Sequence, residues 1–388
     1  MSRVLADTNE YSANERLFLT LMRKHGPQSK AELTRATGLS AQSASVIVRR
    51  LHDIGLVAPQ EATRGKIGQP SKPFALNPTG AYAIGVKIGR KTAEIVTSNF
   101  NYEITQSTVL SFDYPAFEPL LADLAETVNV HLGKIPTAKQ KDCGFGLAAP
   151  NNLESWEAAI GAPESAMADW ALRDMAGELS DSLGRTFFLI NDASAACLAE
   201  LNSGHHDRTA SYIYFYIGTF VGGGIVMDGR LYSGARGNAA AIGSLPVEGR
   251  QDGQFSQLIS AASLISLTDE LTSNGLAYEL AFEQCDLPNA AHGIVQSWVK
   301  TAGQALAYAA ISGQAYLDIH DVVVDGSLSQ DLRTRLVEEI NAALKLFDRR
   351  GLPEIQIKEG TIGFPARAQG AAILPLQMVF DSENAQTS

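Results

Sequence analysis

Residues 218–224 read Gly-Thr-Phe-Val-Gly-Gly-Gly between two apolar runs, four glycines in seven residues. Such a stretch has the backbone freedom to fold amide groups around a phosphate, and it suits a tight turn between strands equally well. The loop alone does not choose. A second candidate is Asn191-Asp192, which closes the apolar run Thr186–Ile190. A carboxylate at a strand end can accept two hydroxyl hydrogen bonds and so bind without catalysing, or it can cap the helix that follows from Ala193. A third set is Ser40, Gln42, Ser43, Ser45, Arg49 and Arg50. Short polar side chains near a helix start can approach base edges, and arginines further along reach phosphates.

The third set needs a helix to present it. Leu17, Leu19, Leu21 and Met22 fall at helical spacing over Asn14–His25, and Gly26-Pro27 stops that helix. Ser29 with Glu32 forms a capping box for a short helix to about Thr37. Gly38-Leu39-Ser40 then turns the chain, with Ser40 as N-cap of a third helix reaching about Ile54. Ala44, Ile47, Val48 and Leu51 make its inward stripe, and the polar and basic set faces out. Helix, turn with Gly, helix is the helix-turn-helix pattern. Val57 starts a strand, and Glu61–Pro78 reads as a hairpin whose basic tip forms a wing suited to a minor groove. Arg64, Lys66, Gln69, Ser71 and Lys72 are its candidate contacts.

Charge separates this head from the rest. Residues 1–78 hold 11 Lys and Arg against 6 Asp and Glu, whereas the remainder holds 20 against 36. A basic head suits a polyanion such as DNA, and an acidic body repels it elsewhere. At 388 residues the chain exceeds one typical domain. With no apolar run near the ~20 residues of a membrane span and a polar N-terminus, we expect a cytoplasmic protein with no membrane partner. Cys143, Cys197 and Cys285 are far apart and odd in number, which argues against a disulfide framework and against a Cys-rich zinc site.

Beyond Pro78 strand and helix patterns alternate. Tyr82–Phe100 reads as two strands about a Gly turn and Tyr102–Phe112 as a third, followed by a helix over Ala116–Leu132. A further helix is expected over Met167–Leu183, and a strand pair over Ser211–Gly234. A mainly helical stretch follows to about Tyr316, then a strand at Asp321–Leu328 and a helix over Leu332–Phe347. Two strand-rich starts suggest two related lobes with a cleft between them.

Several segments together resemble the ROK family (repressors, open reading frames, kinases) in its repressor branch. They are GLSAQSASVIVRRLHDIGLV and GQPSKPFALNP in the head, then IGVKIGR, NDASAACLAE, GTFVGGGIVMDGRLYSGARGNAAAIGS and VVVDGSL in the body. Their order and spacing cover residues 14–380. The resemblance implies an α/β chain with an N-terminal winged helix-turn-helix, residues 1–78, followed by a bilobal actin-like (ribonuclease H-like) fold of the sugar-kinase type, residues 79–388. The lobes would be roughly 79–190 with the C-terminal helix, and 191–368. It also implies a homodimer or homotetramer, a double-stranded DNA operator and a carbohydrate effector.

The resemblance further allows the kinase chemistry to be checked. Phosphoryl transfer needs a metal-holding carboxylate, amides around the phosphates and a base for the sugar hydroxyl. Family kinases open the body with Asp-x-Gly-Gly-Thr, whereas this chain has Lys87-Ile88-Gly89-Arg90-Lys91. They read Gly-Thr-Gly-x-Gly-Gly-Gly where this chain has Phe220 third, and their Gly-Gly is Asp325-Gly326 here. Asn191-Asp192 match the sugar-binding pair. The Gly-Glu-x-Gly-His of glucose binders is Ala240-Ala241-Ile242-Gly243-Ser244, and the zinc-binding Cys segment is Arg250–Leu258, without cysteine. We therefore expect no catalytic residues, cofactor or metal, and effector contacts from Asn151, Asn191, Asp192, Asn238 and Ser244. Ligand-driven lobe closure would shift two winged heads in a dimer and lower operator affinity. The alternatives are an active ATP-dependent sugar kinase with an accessory head and a regulator controlled by a protein partner.

Overall fold

In the computed structural model of the protein, residues 10–61, 72–205, 210–248, 255–282 and 288–382 are described. Three capped helices open it: α1 (Ala13–His25), α2 (Lys30–Thr37) and α3 (Ala41–Asp53). At α1 the Glu15 amide donates to Ser12 Oγ and the Ser12 amide to Glu15 Oε2; Ser29 and Glu32 repeat the exchange at α2. Each such cap is worth about 1 kcal/mol. Gly38 ends α2 in the left-handed region, φ 71°, which a β-carbon would strain, and its amide donates to Thr34 O. That turn sets α3 across α2. Phe18, Leu19, Met22, Leu33, Ala44, Val48 and Leu51 form the fully covered centre of the bundle. Strands β1 (Val57–Pro59) and β2 (Phe74–Leu76) then pair antiparallel, Val57 opposite Leu76. The hairpin tip at 62–71, with Arg64, Lys66, Gln69 and Ser71, lies outside the described residues.

The chain divides into two compact units, residues 1–192 with 368–388, and residues 193–367. In the first unit β3 (Tyr82–Ile88), β4 (Thr92–Asn99) and β5 (Ile104–Ser111) form an antiparallel meander. Helix α4 (Phe117–Lys134) and the short α5 (Thr137–Gln140) lead to β6 (Gly144–Ala149). The expected helix over Met167–Leu183 is instead two, α6 (Asp169–Leu172) and α7 (Met175–Leu183). They break at Arg173-Asp174, where Asp174 accepts from the Ala176 amide as a fresh N-cap. β7 (Phe187–Asn191) completes a sheet of order β5-β4-β3-β6-β7, with β3, β6 and β7 parallel.

The head is tied into this unit through Arg23. Its guanidinium donates to Phe100 O at 2.7 Å, lies 3.9 Å from the Tyr102 ring centre and reaches Asp381 at 3.7 Å. Phe380 packs its ring 5.1 Å from Tyr11 and 4.8 Å from Phe100.

The second unit opens with α8 (Asp192–Ser203), whose residues from Ala193 on belong to it. It repeats the first unit's sheet. β8 (Tyr212–Ile217), β9 (Gly222–Met227) and β10 (Arg230–Leu231) form the meander. The small pair β11 (Pro246–Glu248) and β12 (Phe255–Gln257) follows, then α9 (Leu258–Ala262), α10 (Leu264–Ser273) and the long α11 (Asn289–Leu317). β13 (Asp321–Gly326), α12 (Gln330–Ala343) and β14 (Gln356–Glu359) finish the order β10-β9-β8-β13-β14. β8, β13 and β14 are parallel, as β3, β6 and β7 are in the first unit. Helix α13 (Ala366–Phe380) returns the chain to the first unit from Ala368 onward. Among the described residues no helix is long and apolar enough to cross a membrane.

Candidate functional site

Helix α3 presents a continuous outward face. Ala41, Gln42, Ser43, Val46, Arg49 and Arg50 are exposed, whereas Ala44, Val48 and Leu51 are fully covered; Ser45 and Ile47 lie between. Ser40 Oγ accepts the Ser43 amide at 3.1 Å and touches Ser43 Oγ at 2.9 Å, so both serines hold the helix start that they also expose. Arg50 is turned back on α1: its Nε lies 3.1 Å from the buried Glu15 carboxylate, and Nη2 donates to Glu10 O. Lys72 is exposed at the return of the hairpin. The predicted α3 residues thus lie on the outward side of one helix, with Ser45 partly covered, and the wing-tip residues fall outside the described segments. Val46 is missing from that set and is 64% exposed. The signal was present in the sequence: Val46 stands about 200° around the helix from Ala44, opposite the inward stripe.

In the first unit, Ala149 ends β6 opposite Asn191, which ends the parallel β7. Asn151 follows the first strand end and Asp192 the second, so all three sit at the carboxyl edge of adjacent parallel strands. Open α/β sheets bind ligands at that edge. Asn191 and Asp192 are half-buried and Asn151 is exposed. Asn238 and Ser244, both exposed, belong to the second unit, on the segment between β10 and β11.

Lys87, which stands where the resemblance looks for a carboxylate, is itself paired with one. It sits opposite Glu94 in the β3–β4 register, its Nζ 2.9 Å from Glu94 Oε1, and both side chains are only 3% exposed. The positive charge is spent inside the sheet. Arg90 stacks over Trp156, 5.4 Å from guanidinium carbon to ring centre.

The glycine-rich loop also differs from its reading as a turn. Gly222, Gly223 and Gly224 lie in β9, and none of the four glycines has a positive φ. A β-carbon at Gly222 would stand 2.7 Å from Ala193 Cβ, and one at Gly224 would overlap Cys197 Cβ. These glycines let α8 lie directly on the strand. The remaining turn, Gly218–Val221, is bound to its own unit: the Leu264 and Ile265 amides at the start of α10 donate to Gly218 O and Thr219 O. The Val221 amide donates to Ser263 Oγ at 2.9 Å. An anion site at a helix start depends on amides without internal partners. Here those of Leu264, Ile265 and Val221 are engaged.

The segment after β14 is satisfied in the same way. Glu200, fully buried, accepts from the Thr361 and Ile362 amides and from Thr361 Oγ1 at 3.0 Å. Asp325, also fully buried, accepts from the Gly363 amide at 2.9 Å, from Tyr214 OH at 3.2 Å and from Arg333 Nη1 at 2.6 Å. Burial pushes the Asp325 carboxyl above its ordinary value, against the pull of the Gly363 and Gly326 amides and of Arg333. Two internal carboxylates thus occupy the donors of residues 361–363. Sequence reasoning marked Asp325 as a departure but missed Glu200, which reads as one more polar residue of a helix.

Among the described residues no cluster of three or more His, Cys, Asp or Glu is placed to hold a metal ion. The segment 249–254, which covers most of the expected zinc-segment counterpart, lies outside them. Cys143 and Cys197 are buried free thiols; burial pushes the Cys143 thiol up to about 12 and that of Cys197 well above the usual value.

The ROK family model matches residues 83–378. The relative "Uncharacterized protein y4fQ" of Sinorhizobium fredii (strain NBRC 101917 / NGR234) is 28% identical over 379 residues, 96% of this chain and 92% of that protein. The xylose repressor of Bacillus subtilis (strain 168) is 22% identical over 237 residues, 61% of this chain and 60% of the repressor. The "DNA-binding transcriptional dual regulator NagC" of Escherichia coli (strain K12) is 23% identical over 246 residues, 61% and 57% of the two chains. This chain thus spans about three fifths of the length of those two regulators. Among solved structures, a ROK family transcriptional regulator described as a homolog of E. coli MLC protein superposes with TM-score 0.67 at 19% identity, over 96% of this chain and 97% of that one. A ROK family glucokinase from Streptomyces griseus, in complex with glucose and AMPPNP, gives TM-score 0.59 at 19% identity, over 76% and 100%. Regulators and kinases share this fold.

Proposed function

The chain belongs to the ROK family, and from that membership and the exposed face of α3 we propose that it is a DNA-binding transcriptional repressor of carbohydrate uptake or catabolism genes. The head, residues 1–78, holds duplex DNA through α3 and the wing. The body, residues 79–388, binds a sugar or sugar derivative without phosphorylating it. The observation that carries the reading is the union of that helix face with a body whose glycine-rich strand is packed against α8 rather than open to a phosphate. The names of the xylose repressor and of NagC support the regulator side.

Asn151, Asn191 and Asp192 supply effector hydrogen bonds at the strand ends of the first unit; Asn238 and Ser244 are candidate contacts on the second unit's own surface. A ligand shifts operator affinity only as far as it binds one arrangement of the chain better than another. The protein acts as a homodimer or homotetramer on a two-fold operator. Gel shift with the DNA upstream of its own gene, with and without a panel of sugars and sugar phosphates, tests this; purified protein without salt-sensitive DNA affinity would sink it.

A second reading, an ATP-dependent sugar kinase with a DNA-binding head, draws on Asn191-Asp192 at the carboxyl edge of the sheet and on the fold shared with the glucokinase. The engaged amides of Val221 and residues 361–363, and Lys87 paired with Glu94, weigh against it. Coupled ADP release above background with any hexose decides for the kinase.

A further inference from the structure

We propose that Val46 is a specificity-determining residue of the head and reads the C5-methyl group of a thymine in the major groove, an inference that rests on the DNA-binding reading above. Val46 is 64% exposed, whereas Ala44, Val48 and Leu51 of the same helix are fully covered and Ile47 partly so. It is not at the margin of the outward face. Gln42 and Ser43 stand four and three residues before it, Arg49 and Arg50 three and four after, and side chains at those spacings are neighbours on a helix surface. All four are exposed, so Val46 occupies the centre of a polar and basic face.

The chemistry of the surroundings selects the partner. Residues 40–50 carry no acidic side chain, and Arg49 supplies a cation beside Val46. That charge complements duplex DNA and fits poorly with an apolar protein surface, whose contact would bury Arg49. In the major groove, donors and acceptors line the base edges, and the thymine methyl is the apolar group they present. A valine offers nothing to a donor or an acceptor; it can only contact that methyl or exclude a polar edge. Its branched Cβ is held to one strongly preferred rotamer in a helix, so the methyls are presented at a fixed place at little entropic cost. The neighbours divide the remaining work. Gln42 can reach a base edge, Arg49 a phosphate, and Ser40 with Ser43 fixes the first turn of the helix, the turn before Val46.

The test uses the full-length protein and duplexes selected by it from a randomised pool. Each thymine of the selected site is replaced in turn by deoxyuridine, which removes only the methyl. Loss of one such contact is expected to weaken binding about fourfold, on roughly 0.8 kcal/mol per buried methyl-sized group. At one thymine per half-site the wild type should lose that factor. V46A should bind the unmodified site several-fold more weakly and lose its sensitivity to deoxyuridine there, while R49A keeps it. Because Val46 is exposed, V46A should keep the wild-type melting temperature, and V46T, which retains one γ-methyl, should keep part of the discrimination. Salt-sensitive binding with no deoxyuridine effect at any position, or the same effect in V46A, overturns the assignment and leaves the DNA-binding reading in place. Absence of any salt-sensitive DNA affinity overturns both.

Discussion

Lys87 and Glu94 face each other across β3 and β4 with 2.9 Å between ammonium and carboxylate and almost no solvent at either. The pair lies in the segment where the family resemblance looks for a metal-holding carboxylate, and it spends the one available there on internal pairing. Removing one member of a buried pair costs about 3–5 kcal/mol because the other charge is left without its counterion, whereas replacing both by apolar residues of similar size is often neutral. Lys87→Met should therefore lower the urea midpoint strongly, and Lys87→Met with Glu94→Leu should recover most of the loss. Equal losses in the single and double variants would mean that the pair contributes packing alone.

The glycines of β9 give a second expectation. A methyl at Gly224 meets Cys197 across the α8 contact, and forced overpacking of this kind costs typically 1–3 kcal/mol. Gly224→Ala should show that loss in urea unfolding. Phe220→Gly, which rebuilds the sequence of a phosphate loop, should leave ATP unable to raise the melting temperature, since the Val221 amide already donates to Ser263. A melting temperature of Phe220→Gly that climbs with ATP concentration would contradict this.

His131, buried, sits between two threonines, with Thr97 Oγ1 2.9 Å from Nδ1 and Thr108 Oγ1 2.9 Å from Nε2. Burial, then the nearby Lys134 charge, lowers its pKa below the ordinary 6.5. The folded state thus favours neutral imidazole. Its contribution to stability is complete above the unfolded pKa near 6.5 and is lost as pH falls below it. Melting temperatures taken from pH 8 to 5 should fall less steeply for His131→Gln than for the wild type; parallel curves would show that other groups set the acid limb.

Much of this architecture could be read from residues that act locally. Ser29 and Ser40 announce the second and third head helices because a cap needs only its own first turn. The strand starts at Tyr82 and Tyr212 were legible from apolar runs, and the two sheets repeat one order. What stayed hidden depends on contacts distant in sequence. Nothing near Lys87 says that Glu94 will pair with it until the strands take register, and Glu200 meets Thr361 across 161 residues of chain. The glycines of β9 look like a turn because the helix they admit, α8, precedes them by some twenty residues. The helical pattern over Met167–Leu183 hides a break because Asp174, a competent cap, lies inside it.

The two arginines of α3 should separate in a salt titration. Arg49 is exposed with room to reach a phosphate, and Arg49→Ala should weaken DNA binding and reduce the slope of log affinity against log salt by about one. Arg50 is held by Glu15, 3.1 Å away, and by the Glu10 carbonyl. Arg50→Ala should change that slope less and instead lower the melting temperature of the protein, because it leaves the buried Glu15 without this partner. Identical slopes for Arg49→Ala and the wild type would reassign Arg49 from phosphate contact to base contact or to none.

Asp192 carries the last prediction. It follows Asn191 at the carboxyl edge of β7 and also begins α8, so the same carboxylate has two possible uses. If it only starts the helix, Asp192→Asn should be nearly silent, because asparagine caps about as well as aspartate. If it accepts two hydroxyl hydrogen bonds from an effector, the amide keeps one acceptor oxygen and replaces the other with a donor, so ligand binding weakens while the fold stands. Asp192→Asn is therefore expected to keep wild-type DNA affinity and melting temperature, and to need at least tenfold more ligand for the same operator response, in line with the ~1.5–3 kcal/mol of a hydrogen bond to a charged group. Asp192→Ala should abolish the response and still bind DNA. An unaltered dose response in Asp192→Asn would move the effector away from this strand edge.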